Sequence, residues 1–300
     1  MKGKEVKIKT LIRILTACNI ACEHCYVSSS PSENKELSNR ELARIVDELS
    51  HFGVDSICFT GGQPTLRGED LIGIIKYTSK KREETGFPRL IQVTTNSSIG
   101  SSYKEAEYWA ENFVKAGLDR VRLSCDEWHR KFLPEEYERC FIDVAARYGL
   151  QIKELSVVKE DRKDENEDGN GKKVFALRPG GRAGVEEYSS SWSNIRQCRM
   201  YSSRHKPSEI SVFIHSTKDV HICNVGVPPE LSMGKILEDD IEKMLFGDMP
   251  GIIGALCKGD VAGLAEYVGA NPQDISGKIE RVGKCAVCSE LRKNYTDSLR

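Results

Sequence analysis

Residues 7–26 read KIKTLIRILTACNIACEHCY, a β-branched run followed at once by three thiols. Residues 7–16 alternate and favour a strand. The loop at 17–27 carries Cys18, Cys22 and Cys25. Next, LSNRELARIVDELSHFG opens with a helix start. Ser38 lies three residues ahead of Glu41 as a capping box, Leu37 and Leu42 are placed as a hydrophobic staple, and Gly53 is the expected stop. SICFT (56–60) is then a short strand running into Gly61-Gly62-Gln63-Pro64.

The same alternation continues downstream. Helices are expected over about 69–84, 102–116 and 134–148. Strands are expected at 90–94, 120–124, 152–158 and 173–177. Strands alternating with helices of this length mean parallel βα units, an α/β fold. Each strand ends in a polar or glycine-rich loop, and in βα barrels that end builds the active site. Residues 159–173 (KEDRKDENEDGNGKK) read as a solvated loop. After about 190 the rhythm stops. EISVFIH and DVHIC flank STK as a β-hairpin, and MGKILEDDIEKMLFG reads as a helix. The domain boundary is placed there, giving 1–190 and 191–300.

Composition narrows the function classes. Lys plus Arg number 44 and Asp plus Glu 45, a net charge of -1, so no broad basic footprint for nucleic acid or anionic lipid is expected. No apolar run approaches a membrane span, and no signal peptide is read at the start. Eleven cysteines in 300 residues without a secretion signal argue for thiolates that hold metal in a reducing compartment, with the cytoplasm as expected location.

Three thiolates from one tight loop can ligate three corners of a 4Fe–4S cube and leave the fourth iron open. A closed zinc site wants four ligands. His24 is the nearby candidate, but it lies between two of the thiols. The spacing favours the cube over zinc and over three unrelated core cysteines.

With Cys18, Cys22, Cys25 and the following Tyr26, the chain resembles the radical S-adenosylmethionine (SAM) family, whose signature is CxxxCxxC followed by an aromatic residue. The resemblance implies a partial (β/α)6-type TIM barrel over 1–190. It implies that SAM chelates the open iron and is cleaved reductively to a 5′-deoxyadenosyl radical, which abstracts hydrogen from a substrate C–H. A flavodoxin- or ferredoxin-type electron donor follows as a partner. The family's GGEP stands here as Gly61, Gly62, Gln63 and Pro64, with the charge of the glutamate lost. Thr95-Asn96 resembles the TN-type motif, and Ser124-Cys125-Asp126 the SxD motif near the ribose or methionine end. Arg130, beside His129, is a candidate partner for the SAM carboxylate, and Gly181-Arg182-Ala183 resembles a family GRA. Each of these smaller motifs also occurs as an ordinary turn or exposed loop.

Cys198, Cys223, Cys285 and Cys288 lie beyond the barrel. Their arrangement resembles the SPASM or twitch extension, a small cysteine-rich α+β domain holding an auxiliary 4Fe–4S cluster; structural zinc is the alternative. Lys218 stands where that extension usually has glycine. Cys58 and Cys140 read as small core residues, Cys125 follows its strand, and Cys257 is a spare ligand. Relatives with this extension mostly modify ribosomally made peptides, which gives oxidative peptide modification or cross-linking as the leading expectation. Oxidation of a small molecule such as an alcohol or sugar-like compound is the alternative. Only seventeen residues precede Cys18, so no fused peptide-recognition domain is expected ahead of the barrel. A non-catalytic iron–sulfur or zinc redox protein is the rival from another class. No residue is identified as a catalytic acid or base.

Overall fold

The structure, a computed structural model, describes residues 6–158, 173–176, 209–221, 223, 229–247, 249–258, 260–282 and 284–299. Its frame is one eight-stranded sheet: β1 (Lys7–Arg13), β2 (Ser56–Thr60), β3 (Leu90–Asn96), β4 (Arg120–Ser124), β5 (Gln151–Val158), β6 (Lys173–Ala176), β7 (Glu209–Ile214) and β8 (Val220–His221). Their spatial order is β6-β5-β4-β3-β2-β1-β7-β8. Only the β7–β8 pair is antiparallel. The sheet is a mostly parallel partial barrel, with strand ends gathered on one side.

The helices that return the chain are α1 (Asn39–Phe52), α2 (Glu69–Thr85), α3 (Tyr103–Lys115) and α5 (Glu135–Arg147), with a single turn, α4 (Glu127–Arg130), after β4. Helix α1 begins with the capping box read from sequence. The Ser38 side chain accepts from the Glu41 amide, and Glu41 accepts from the Ser38 amide. It ends at Gly53, whose φ of 85° is the left-handed conformation that glycine adopts without a Cβ clash.

Alternation along the strands separates two faces. Ile8, Ile12, Ile57, Phe59, Ile91, Val93, Val121 and Leu123 are buried against Leu42, Ile45, Leu49, Ile75, Phe113 and Phe141 of the helices. The opposite, concave face carries Lys9, Ser56, Gln92, Arg120, Arg122 and Lys153 around a cavity. The helix side is therefore the dry core and the concave side a polar chamber.

Two features differ from the sequence reading. The hairpin at 209–221 forms, with Phe213 opposite His221 and Ile214 opposite Val220. Its first strand also lies parallel to β1, from Lys7↔Glu209 to Ile12↔Ile214, so the barrel sheet continues into the segment assigned to the extension. Beyond the hairpin the described residues are mainly helical: α6 (Ile241–Phe246), α7 (Gly251–Lys258), α8 (Val261–Tyr267), α9 (Pro272–Val282) and α10 (Lys284–Ser298). Helix α6 is shorter than expected because Asp240 caps it, accepting from the Glu242 and Lys243 amides. Upstream, Lys235 is held in a β-bridge to Asp219. Lys218 adopts φ 70°, which accounts for glycine being usual at such a position.

Candidate active site

The cysteine loop leaves β1 at Arg13 and is pinned at several points. Arg13 Nη2 donates to the Val27 carbonyl and the Ser29 hydroxyl, both at 2.9 Å. The Cys18 amide donates to Ser30 O at 3.1 Å, and the Cys25 amide to Cys22 O at 3.2 Å. Cys18 and Cys22 are buried, Cys25 is half-buried, and the three pack with Ile20, Leu133 and Tyr137. All three, with Tyr26, line a cavity of about 430 Å³ on the concave side of the sheet. That is a small-molecule volume.

Gly61 and Gly62 line the same cavity. Their main structural reason is the neighbouring chain rather than a ligand. A Cβ on Gly62 would stand 1.9 Å from the Ala17 carbonyl oxygen, and one on Gly61 would stand 2.7 Å from that of Leu15. The Gly62 amide donates to Leu15 O at 3.0 Å and the Gln63 amide to Ala17 O at 2.8 Å. The GG pair thus holds the root of the cysteine loop.

Gln63 is among the residues expected at the SAM site, yet it is buried behind the cavity. Its Nε2 donates to Thr65 Oγ1 and Thr95 Oγ1, each at 2.7 Å, and its Oε1 accepts from the Asn96 amide at 3.0 Å. An amide supplies donor and acceptor at once, which an ionised glutamate cannot do. Thr95 and Asn96 reach the cavity wall. Asn96 donates to Asn19 Oδ1 at 2.8 Å and accepts from the Ser98 amide, tying the end of β3 to the cysteine loop. Ser124 also lines the cavity, and its hydroxyl makes no hydrogen bond with any described residue.

Asp126 is buried and serves two histidines. His129 Nδ1 stands 2.7 Å from Oδ1, and His24 Nε2 stands 3.5 Å from Oδ2. Oδ1 also accepts from the Trp128 and His129 amides, and Oδ2 from the Val157 amide at 3.3 Å. Burial alone would raise its pKa, but the hydrogen bonds from His129 and His24 outweigh burial and hold the carboxyl well below the usual range. His24 stacks on Trp128, with ring centroids 5.5 Å apart. The His24–Asp126–His129 group was not legible in sequence as a unit: His24 appeared only as a possible zinc ligand, and a fold is needed to bring residues 24 and 126 together. Arg130 does not line the cavity. Its guanidinium binds Glu138 at 2.8 and 3.2 Å, which turns it away from the place expected for a SAM carboxylate.

Cys58, read as a core residue, lines the cavity and contacts Thr94 Oγ1 at 3.2 Å. Cys125 points to Glu154 and the Leu155 carbonyl instead. Cys198, Gly181, Arg182 and Ala183 lie outside the described residues, as does the Cys285 side chain. Cys223 follows β8 and Cys288 lies on α10.

Residues 12–144 match the Radical SAM superfamily. The chain carries a radical SAM domain. Among curated proteins, the probable GTP 3′,8-cyclase of Methanopyrus kandleri is 32% identical over 165 residues, 52% of this chain and 48% of that protein. The GTP 3′,8-cyclase of Chlorobaculum tepidum is 31% identical over 122 residues, 40% of this chain and 33% of that protein. The chain thus spans less than half the length of these curated relatives. Among solved structures, BtrN in complex with AdoMet and 2-DOIA superposes with a TM-score of 0.57 at 14% identity, covering 86% of this chain and 90% of that one. This last likeness is one of fold. The relatives overturn the expectation of peptide modification: the substrate in their names is a nucleotide, not a peptide. Among the described residues, no helix is long and apolar enough to cross a membrane.

Proposed function

We propose that this chain is a radical SAM enzyme acting on a small molecule. The carrying observation is that the cysteine trio, Gly61, Gly62, Asn96 and Ser124, from four successive strand ends, face one cavity of about 430 Å³. The names of the curated relatives point the same way.

The donor set fits a cluster better than a single ion. Among the described residues, the only group of three or more metal-type ligands closing to within 4.8 Å is His24, Asp126 and His129. The three sulfurs are therefore spread more widely than the roughly 3.8 Å between thiolates on one zinc. Cys18, Cys22 and Cys25 would hold the 4Fe–4S cluster. Bound there, the cluster would supply the electron for reductive cleavage of SAM.

The chain's own groups position and exclude. Gly61 and Gly62 offer backbone to the SAM ammonium, and the Ser124 hydroxyl is open to the nucleoside or methionine end. Tyr26 walls the cavity beside Cys25. Gln63 braces Thr95 and Asn96 from behind the wall, and Asp126 locks His24 between the second and third cysteines. A flavodoxin- or ferredoxin-type protein delivers the electron.

The reading includes an auxiliary 4Fe–4S cluster on Cys198, Cys223, Cys285 and Cys288, in a domain over 191–300. Its support is the placement of the cysteines: Cys223 directly follows the hairpin and Cys288 lies on α10.

Anaerobic reconstitution followed by SAM and a strong reductant tests the enzyme reading. 5′-Deoxyadenosine is expected; a fully loaded protein that forms none is an electron carrier or sensor instead. Iron content tests the tail: about eight irons per chain for two cubes, about four if the tail holds zinc.

A further inference from the structure

The concave face of the sheet holds cations one layer below the cysteine loop. Arg120 and Arg122 alternate along β4 and both face the cavity, as does Lys153 of β5. Arg122 and Lys153 are register partners on adjacent parallel strands, so two positive side chains stand side by side on one face. At the open end of the chamber the charge is already matched: Lys9 pairs with Glu209 at 2.6 Å. Arg122 has no such match. Among the described residues its one polar contact is Nη1 to Cys58 Sγ at 3.7 Å, across β3, and no carboxylate lies within ion-pair distance of it.

A half-buried guanidinium that faces a cavity with only a thiol beside it can take its counter-charge from a ligand. Its planar fork suits a phosphate, two oxygens at a time. The walls around it, Thr94, Cys58 and Leu155, carry no charge of their own. The SAM end of the cavity lies one layer above, at Asn96 and Ser124, each two residues further along its strand than Thr94 and Arg122.

We propose that Arg122 is the substrate's anion anchor and that the substrate is a phosphorylated small molecule, its phosphate on Arg122 and its reacting carbon held toward the cysteine loop. This rests on the small-molecule reading above and narrows it. Arg122 is a specificity residue that touches substrate and not SAM.

The test uses the anaerobically reconstituted enzyme with pyrophosphate as probe and succinate and myo-inositol as comparators. Pyrophosphate binding, measured by calorimetry, is expected to weaken at least about tenfold in Arg122→Gln and to be partly restored in Arg122→Lys. Succinate is expected to bind more weakly than pyrophosphate, and myo-inositol not at all. SAM binding and reductive 5′-deoxyadenosine formation without substrate are expected to stay within about twofold of wild type. Equal pyrophosphate affinity in wild type and Arg122→Gln overturns the anchor. Loss of SAM binding in Arg122→Gln overturns it too, by assigning the guanidinium to the SAM carboxylate. Tighter binding of succinate than pyrophosphate overturns the phosphate assignment. A wild-type enzyme that binds pyrophosphate through Arg122 yet never cleaves SAM would instead sink the enzyme reading and leave the anion site standing.

Discussion

At Gly62 a single hydrogen atom decides whether the cysteine loop can take its place. The Ala17 carbonyl lies where a side chain would begin, and the Gly62 and Gln63 amides bond Leu15 and Ala17. Gly62→Ala must push the backbone of residues 15–17 away, since the obstacle is a carbonyl and not a flexible tip. Overpacking of this kind costs about 1–3 kcal/mol. The expected result is a lower urea midpoint and a several-fold loss of iron retained after anaerobic gel filtration. Gly61→Ala is expected to act in the same direction. Normal iron retention in Gly62→Ala would mean that the loop root tolerates displacement. The glycines were legible in sequence; what they approach was not, because the Ala17 carbonyl comes from a strand end more than forty residues upstream.

The strand β7 brings a different constraint, because its end stands beside buried groups of β1. His215, just past the strand, meets His221 edge to face with centroids 4.8 Å apart. Burial, and then the Arg13 charge, lower the His215 pKa to about 4. An unfolded histidine takes its proton near pH 6.5. Between these values the unfolded chain binds more protons than the folded one, so stability rises with pH across that window. The contribution is fully present above about pH 6.5 and is lost as pH falls toward 4. Melting temperature is therefore expected to drop on acidification over this range, and His215→Phe should flatten the slope. An unchanged pH profile in that variant would place the titration elsewhere. At the same scale, the α1 capping box and the β4 alternation were readable because they are local patterns. The pairing of β7 with β1 was not, since the same hairpin pattern suits a separate domain equally well.

Across the whole molecule, the cysteines fall in two separate places. The three loop cysteines face the cavity, whereas Cys223 and Cys288 lie at the hairpin end and on α10. Cys285→Ala with Cys288→Ala is expected to remove up to about four irons per chain while 5′-deoxyadenosine still forms. Cys18→Ala is expected to abolish 5′-deoxyadenosine outright. If the tail variant also forms none, the two regions act as one unit. Iron analysis and product chromatography on the same preparations read both outcomes.

By itself the sequence determined the βα order, the caps, and the thiol loop after the first strand, because hydrophobic period, turn chemistry and short-range spacing are written in neighbouring residues. It also placed the motifs at strand ends. Only the tertiary structure decided which of those motif residues reach the chamber. Gln63 turns inward to brace Thr95 and Asn96, Arg130 turns to Glu138, and Arg122 faces the cavity beside Cys58. The physical reason is that a side chain's role is set by the partners the fold brings within about 3 Å, and those partners come from strands and helices distant in the chain.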